Sequence, residues 1–198
     1  VYDNNHYPII MIPGNKRGFN DWLGKNPGNA GGETNVYKKL IRAGFLPKEL
    51  WPYQYTTEDK EMKNIEELTD RLKRFIYFIL KDTKSSKVQI LAHAEGAVLA
   101  HATIKKYNLY NLIHAAVYIA GPFHGSPEYT YTKALMGKPV CSNLAMDSDF
   151  LKDMNLPDET PYNIFEKEAI GNCKLKYMAM YNDISASLSG SCNYKLNR

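Results

Sequence analysis

Apolar residues follow two rhythms along this chain, and the rhythms alternate. Tyr7 to Ile12 is a continuous apolar, β-branched run, the pattern of a central strand covered on both faces. Pro13-Gly14-Asn15 breaks it. Thr34 to Ala43 changes to a helical period, with Val36, Tyr37, Leu40 and Ile41 on one face, Thr34 as a cap and Gly44 as a stop. Leu50 to Tyr55 is strand-like again, and its Pro52 argues for an edge strand or an early end. Glu61 to Asp82 is the longest helical pattern. Ile65, Leu68, Leu72, Phe75, Ile76, Ile79 and Leu80 recur at three and four, while the outer face carries charges such as Glu67 and Arg71. Val88 to Ala92 reads as a buried strand, Ala97 to Tyr107 as a helix, and Ile113 to Ala120 as another strand. Thr130 to Lys138 has no clear period and reads as surface. Asp149 to Met154 suits a short helix, Lys174 to Tyr181 a strand, and Asn193 to Arg198 the first half of one more.

Strands that alternate with helices imply right-handed crossovers and a mostly parallel central sheet with helices on both faces, an α/β architecture. In such sheets ligands bind where the carboxyl ends of the strands emerge. The positions to watch are therefore Asn15, Ala94, Gly121 to His124, and Asp183. The segment from Lys16 to Gly32 holds five glycines and one proline around Trp22. A long irregular stretch is uncommon unless it has work to do, and lining or covering a site is one such task.

Composition narrows the class without naming a function. The chain has 198 residues, 44% hydrophobic and 23% charged, which fits one globular domain. A formal charge of +4, with both signs interspersed and no long basic block, argues against a nucleic-acid partner. Fifteen tyrosines and seven phenylalanines serve packing or a substrate groove equally well. No apolar run approaches the ~20 residues of a membrane span. The chain opens on Val1-Tyr2-Asp3, which reads as a mature or trimmed end. Cys141, Cys173 and Cys192 lack metal spacing; two could pair and leave one over, as suits a secreted protein, or all three could be buried thiols.

The chemistry centres on Ala92-His93-Ala94-Glu95-Gly96. A strand, a sharp turn flanked by small residues, and a helix form the frame of a nucleophile elbow, G-x-S-x-G. Ala94 stands where the serine belongs, and a methyl group cannot attack a carbonyl. The frame's other parts depend on backbone rather than side chain. The N–H of Glu95 and the N–H of Asn15 are the candidate oxyanion donors. Asp183, at a strand end well after the elbow, stands where an orienting acid belongs, or is a solvated turn residue. Of the five histidines, at positions 6, 93, 101, 114 and 124, none follows Asp183. His93 reads more readily as a packed side chain than as a base, and His124 as a loop residue able to line a pocket. Glu95 could face the mouth of the site, or could simply be an acid favoured at a helix start. Ser126 has no elbow and is a poor nucleophile candidate.

Four blocks, Tyr7 to Asn15, Ile90 to Ala97, Ala120 to Gly125 and Tyr177 to Asp183, together resemble the class 2 lipases, with the secreted nematode-type members nearest. The resemblance runs from Tyr7 to Arg198. It implies the α/β-hydrolase fold and triacylglycerol or carboxylester hydrolysis. Ala94 then matches the nucleophile position, Asp183 the acid, and the amides of Asn15 and Glu95 the oxyanion hole; His93 and His124 remain candidate pocket residues on their positions alone. It further implies a secreted protein in which Cys192 pairs with Cys141 or Cys173. A lipid or ester small molecule is the expected partner, peripheral contact with a lipid surface is allowed, and neither cofactor nor metal is expected. Three departures stand out: Ala94 for serine, Pro13 for the histidine of the family's His-Gly turn, and a single domain expected to lack the final strand-helix end. The expectation is a lipase homologue inactive in this form. The alternatives are an active lipase seen as a serine-to-alanine variant or a truncated chain, and a non-catalytic module that binds lipid or protein.

Overall fold

The computed structural model describes residues 6–14, 18–23, 35–55, 64–136, 139–156 and 176–180. Five parallel strands form one sheet: β1 (Ile9–Ile12), β2 (Leu50–Pro52), β3 (Val88–His93), β4 (Ile113–Ile119) and β5 (Lys176–Met180), in the order β2-β1-β3-β4-β5. The register pairs Ile9 with Leu50 on one side of β1 and Ile12 with Ala92 on the other. β2 lies at an edge and stops at Pro52, as a residue without an N–H should make it do.

Side chains alternate across the sheet and divide the core in two. Ile10 and Ile12 share one cluster with Ile90, Ala92, Ala116 and Tyr118. Over them lie α3 (Ile65–Thr83), through Leu68, Leu72, Ile76 and Ile79, and α4 (Glu95–Lys106), through Ala97, Val98 and Ile104. Ile9 and Met11 join Leu50 in the second cluster. That face is covered by Trp22 of α1 (Phe19–Trp22) and by Val36, Tyr37, Leu40 and Ile41 of α2 (Val36–Arg42). Helices thus stand on both faces, as the strand and helix rhythms required.

Local differences have local causes. The α2 cap is Asn35, whose Oδ1 accepts from Lys38 N at 2.8 Å, rather than Thr34; its Nδ2 also donates to Leu23 O, which ties the helix start to α1. Asn64 caps α3 by accepting from Glu66 N. The expected helical residues Glu61 to Lys63 fall outside the described set. Gly44, at φ +100°, ends the α2 segment as expected.

The poorly patterned surface stretch expected over Thr130 to Lys138 is helical as far as Met136, within α5 (Pro127–Met136), and Tyr131 is exposed there; Gly137 and Lys138 lie outside the described residues. α6 (Pro139–Leu144) and α7 (Asp149–Asn155) follow. Pro127 and Pro139 open α5 and α6, where a missing N–H costs nothing. Tertiary bonds rather than amphipathic rhythm fix them: Ser126 N donates to Leu144 O at 3.0 Å, and Met146 N to Thr130 Oγ1 at 3.0 Å. Cys141 of α6 is buried, while Cys173, Cys192 and the half-strand of Asn193 to Arg198 lie outside the described residues.

Candidate functional site

From β1 the chain moves outward to β2, then returns past β1 to β3 and continues to β4 and β5. The carboxyl ends of β1 and β3 are therefore neighbours from which the chain departs in opposite directions, which leaves a crevice between them. Pro13 and Gly14 stand at one lip, and Ala94 and Glu95 at the other. Tyr53 and Tyr55 follow β2 at the same edge, and Gly121 to His124 follow β4.

The lip at Ala94 is an elbow in the strict geometric sense. Ala94 has φ 50° and ψ −126°, a conformation that side-chain-bearing residues rarely adopt, and α4 begins at the next residue. Its N–H donates to Ile119 O at 2.8 Å, and its carbonyl accepts from Ala97 N at 3.0 Å. Gly96 cannot carry a side chain: a Cβ there would lie 2.4 Å from Pro13 O and 2.9 Å from Ile12 Cγ2. Helix α4 thus starts in direct contact with the end of β1. A Cβ on Gly14 would meet Ala94 Cβ at 3.1 Å, His93 Nδ1 at 3.2 Å and Glu95 Oε2 at 3.3 Å. Three consecutive elbow residues converge on the turn after β1.

The expected site residues are distributed as follows. Glu95 is the first residue of α4, where a backbone N–H has no acceptor within its own helix and is disposed to bind an anion. His93 ends β3, half-buried, on the face of Leu91. His124 lies in the turn after β4, which is pinned by Asn155 Nδ2 donating to Phe123 O at 2.9 Å. The crevice between β1 and β3 brings together Ala94, Glu95 and His93. Asn15 and Asp183 lie outside the described residues.

A tyrosine braces each lip, and sequence reasoning did not single these two out. Tyr55 Oη donates to Pro13 O at 2.9 Å, so the hydroxyl holds the turn after β1 from behind. Tyr129 Oη, from α5, donates to Glu95 Oε1. Burial pushes the Tyr55 hydroxyl well above the ordinary phenol value, and the charge of Glu95 and then Tyr53 push it further. Burial likewise raises Tyr53 to about 12, opposed by the nearby charge of Arg71. Away from the crevice, His101 of α4 packs edge-on against Tyr118 and Phe123. Burial, aided by the charge of Lys105, lowers it to about 4, so it is neutral at physiological pH. Among the described residues no group of three or more His, Cys, Asp or Glu side chains could hold a metal ion.

The arrangement can hold and polarise a carbonyl at the start of α4, but at position 94 it offers that carbonyl only a methyl group. Comparison with known proteins bears on which carbonyl. The family model described as lipase (class 2) matches residues 6–169. A search of curated proteins finds no match. Solved structures with similar folds include phospholipase PlaB from Legionella pneumophila in complex with thio-NAD, at TM-score 0.66 and 14% identity over 89% of this chain and 37% of that one. The Bacillus licheniformis lipase BlEst2 in mature form gives TM-score 0.61 and 13% identity over 89% of this chain and 67% of that one. Aspergillus fumigatus lipase B gives 0.61 and 15% identity over 79% and 35%. The chain spans about a third of the length of PlaB. At these identities the likeness is one of fold, and the fold is that of the α/β-hydrolases.

Proposed function

The chain belongs to the class 2 lipase family, and from that premise we propose that it is a lipase homologue that holds a lipid ester in the family's crevice without cleaving it. The observation that carries this reading is Ala94, an elbow residue at φ 50° and ψ −126° that occupies the nucleophile position and bears no nucleophile. Loss of an active-site serine elsewhere costs on the order of a million-fold in rate, whatever the rest of the site retains. What the rest retains is the backbone frame: the tight approach at Gly96 and a helix that starts directly after the elbow. A frame of that kind can still accept an ester carbonyl. The partly aromatic surroundings, with Tyr53, Tyr55 and Tyr129 beside the Glu95 carboxylate, suit an acyl ligand, and peripheral contact with a lipid surface is compatible with it. The same reading places the protein outside the cell, with Cys192 paired to Cys141 or Cys173.

The test is direct. Purified protein should not turn over p-nitrophenyl butyrate or p-nitrophenyl palmitate, yet should retain acylglycerols saturably. Inhibitor-sensitive turnover overturns the inactive reading, and a lipid panel without a binder overturns the binding one.

The retained strain at Ala94 favours a second reading, in which the site is built for a serine and is an ester hydrolase when it has one. Strained backbone persists where the surroundings over-determine it, and a site that only binds has no need of an elbow. This reading expects Ala94→Ser to gain turnover of p-nitrophenyl butyrate. An inert Ala94→Ser protein of native fold leaves the binding reading alone in the field.

A further inference from the structure

We propose that Tyr55 is a positioning residue of this crevice: its hydroxyl, by holding the Pro13 carbonyl, sets where the turn after β1 stands against the elbow and so where a ligand carbonyl is held. The proposal rests on the proposed function, since it concerns the ligand of the same crevice.

The backbone ladder between β1 and β2 runs out beside the crevice. Tyr53 N donates to Met11 O at 3.0 Å. Two residues further along both segments, the Pro13 carbonyl is taken by a side chain instead, with Tyr55 Oη donating to it at 2.9 Å. Tyr55 is only 7% exposed, and its ring lies beside that of Tyr53, with centroids 6.1 Å apart and planes 23° from parallel. A ring so confined cannot follow a turn that moves, so the bond ties the turn to the edge of the sheet. Burial first, then the charges of Glu95 and Tyr53, hold the phenol well above its ordinary value, and it remains a donor at physiological pH.

The elbow touches the same carbonyl. A Cβ at Gly96 would lie 2.4 Å from Pro13 O, so the start of α4 is already in contact with it. The next residue has no room to spare either: a Cβ on Gly14 would meet Ala94 Cβ at 3.1 Å, His93 Nδ1 at 3.2 Å and Glu95 Oε2 at 3.3 Å. The turn is therefore packed between an edge-strand hydroxyl and the elbow. Without that hydroxyl the Pro13 carbonyl is buried and short of a donor, and it gains by turning towards water. The peptide unit is planar, so a carbonyl that turns carries the Gly14 amide with it and moves the backbone that leads to Asn15, the candidate oxyanion donor. A bond that only stabilised the fold could fall on any carbonyl of the edge. This one falls on the carbonyl that α4 also touches.

The experiment titrates two probes by calorimetry, methyl octanoate and methyl octyl ether, which differ only in a carbonyl replaced by a methylene. Wild type should bind the ester about tenfold more tightly, the worth of one well-placed hydrogen bond. Tyr55→Phe removes a single oxygen; it should bring the two probes to within about twofold, by weakening the ester and leaving the ether unchanged. Thr103→Val removes a buried hydroxyl-to-carbonyl bond of the same kind, 2.7 Å to Leu99 O within α4, and should keep the wild-type ratio. An unmoved ratio in Tyr55→Phe, an equal weakening of both probes, or a ratio that falls as far in Thr103→Val overturns the positioning role and leaves the proposed function standing. So does a wild type that binds ester and ether alike. Binding of neither probe by wild type overturns the proposed function and this proposal with it. If Tyr55→Phe does not fold in plain buffer, the titrations are repeated in trimethylamine N-oxide, which favours the compact state. A variant that stays unfolded there shows a bond that carries the fold, and that too overturns the positioning role.

Discussion

Strands β3 and β4 lie side by side, and each is followed by an alanine at positive φ, Ala94 and Ala120, both at φ 50°. The two turns are joined, because the Ala94 N–H donates to Ile119 O, the last residue of β4. Beyond that point they differ. After Ala94 the helix begins at once, so the start of α4, with Glu95 and the preceding His93, faces the crevice beside β1. After Ala120 the chain passes through Gly121, Pro122, Phe123, His124, Gly125 and Ser126 before α5 begins. That turn builds a wall: Phe123 packs on Tyr118 and His101, and Gly125 passes close to the backbone of Ala145 and Met146. The same positive φ after two neighbouring strands thus has unequal consequences. A residue at positive φ after a strand creates a site only when helix dipole and amides follow it directly.

The largest effect that could break this comparison comes from its glycines. Gly96→Ala forces a methyl to 2.4 Å from the Pro13 carbonyl and 3.0 Å from that of Ile12, backbone atoms that cannot yield without moving β1. Gly121→Ala also crowds, but its nearest neighbours are the Phe123 ring at 2.6 Å and the Ala97 methyl at 2.9 Å, and a ring can turn. We expect a loss of about 3 kcal/mol or more at Gly96 and about 1–2 kcal/mol at Gly121, read from urea denaturation. Equal losses would mean that the two turns are equally tight, and that the elbow's contact with β1 is nothing special.

These two turns were also unequally legible in the sequence. The first announces itself, because a β-branched strand, small residues and an apolar helix follow one another within a few positions. The parallel sheet with helices on both faces followed from the alternation of rhythms, and Pro52 pointed to an edge strand or an early strand end; the order β2-β1-β3-β4-β5 did not follow. The second turn was legible as the end of β4 at Gly121, but α5 and α6 beyond it were not. Their helices are held by bonds between distant residues, such as Ser126 to Leu144 and Ile65 N to Asn143 Oδ1, which leave no periodic trace. The site shows the same division. The backbone donor at Glu95 could be foreseen from the elbow frame. The burial of its side chain could not, since it depends on Tyr129 from a helix without a pattern. Tyr55 follows an edge strand, which alone does not mark it. Its bond to Pro13 required the register of β1 and β2.

Between the two turns lies the seam, and His101 occupies it. The imidazole sits on α4, the helix of the first turn, against Tyr118 and Phe123 of the second. On α4 it is followed by Lys105, whose ammonium donates to Asp153 O and Met154 O at the end of α7. Burial first, and the Lys105 charge second, lower His101 to about 4 from an ordinary 6.5. As pH falls, the unfolded chain takes up this proton before the folded one. The stability is therefore complete above about pH 6.5 and declines as pH falls towards 4, by about 3 kcal/mol in all. Thermal melts from pH 7 to 4 should show that decline, and His101→Leu should flatten it. An unchanged slope in His101→Leu would place the acid sensitivity elsewhere and would mean that the seam between the turns admits water.

The smallest expected effect is the sharpest for the comparison, because it asks what each strained alanine is for. Replacing alanine by glycine at a positive-φ position removes a backbone penalty of about 1–3 kcal/mol and adds about 0.5–1 kcal/mol of chain entropy to be lost on folding. Ala94→Gly should therefore raise stability by about 1 kcal/mol, and Ala120→Gly by the same or less. A gain at both positions means that neither methyl contributes a contact that offsets its strain. In that case the Ala94 elbow is held in place by Gly96, Pro13 and the Ile119 bond alone, and its geometry does not depend on the residue that occupies it. A gain at Ala120 with a loss at Ala94 would mean the opposite. The Ala94 methyl would then be packed against the turn at Gly14 as a filled position, and an ester carbonyl would have to be held beside it rather than over it. Denaturation curves of the two single variants and the double variant separate these outcomes. The double variant also reports, by its departure from additivity, how strongly the Ala94 to Ile119 bond couples one turn to the other.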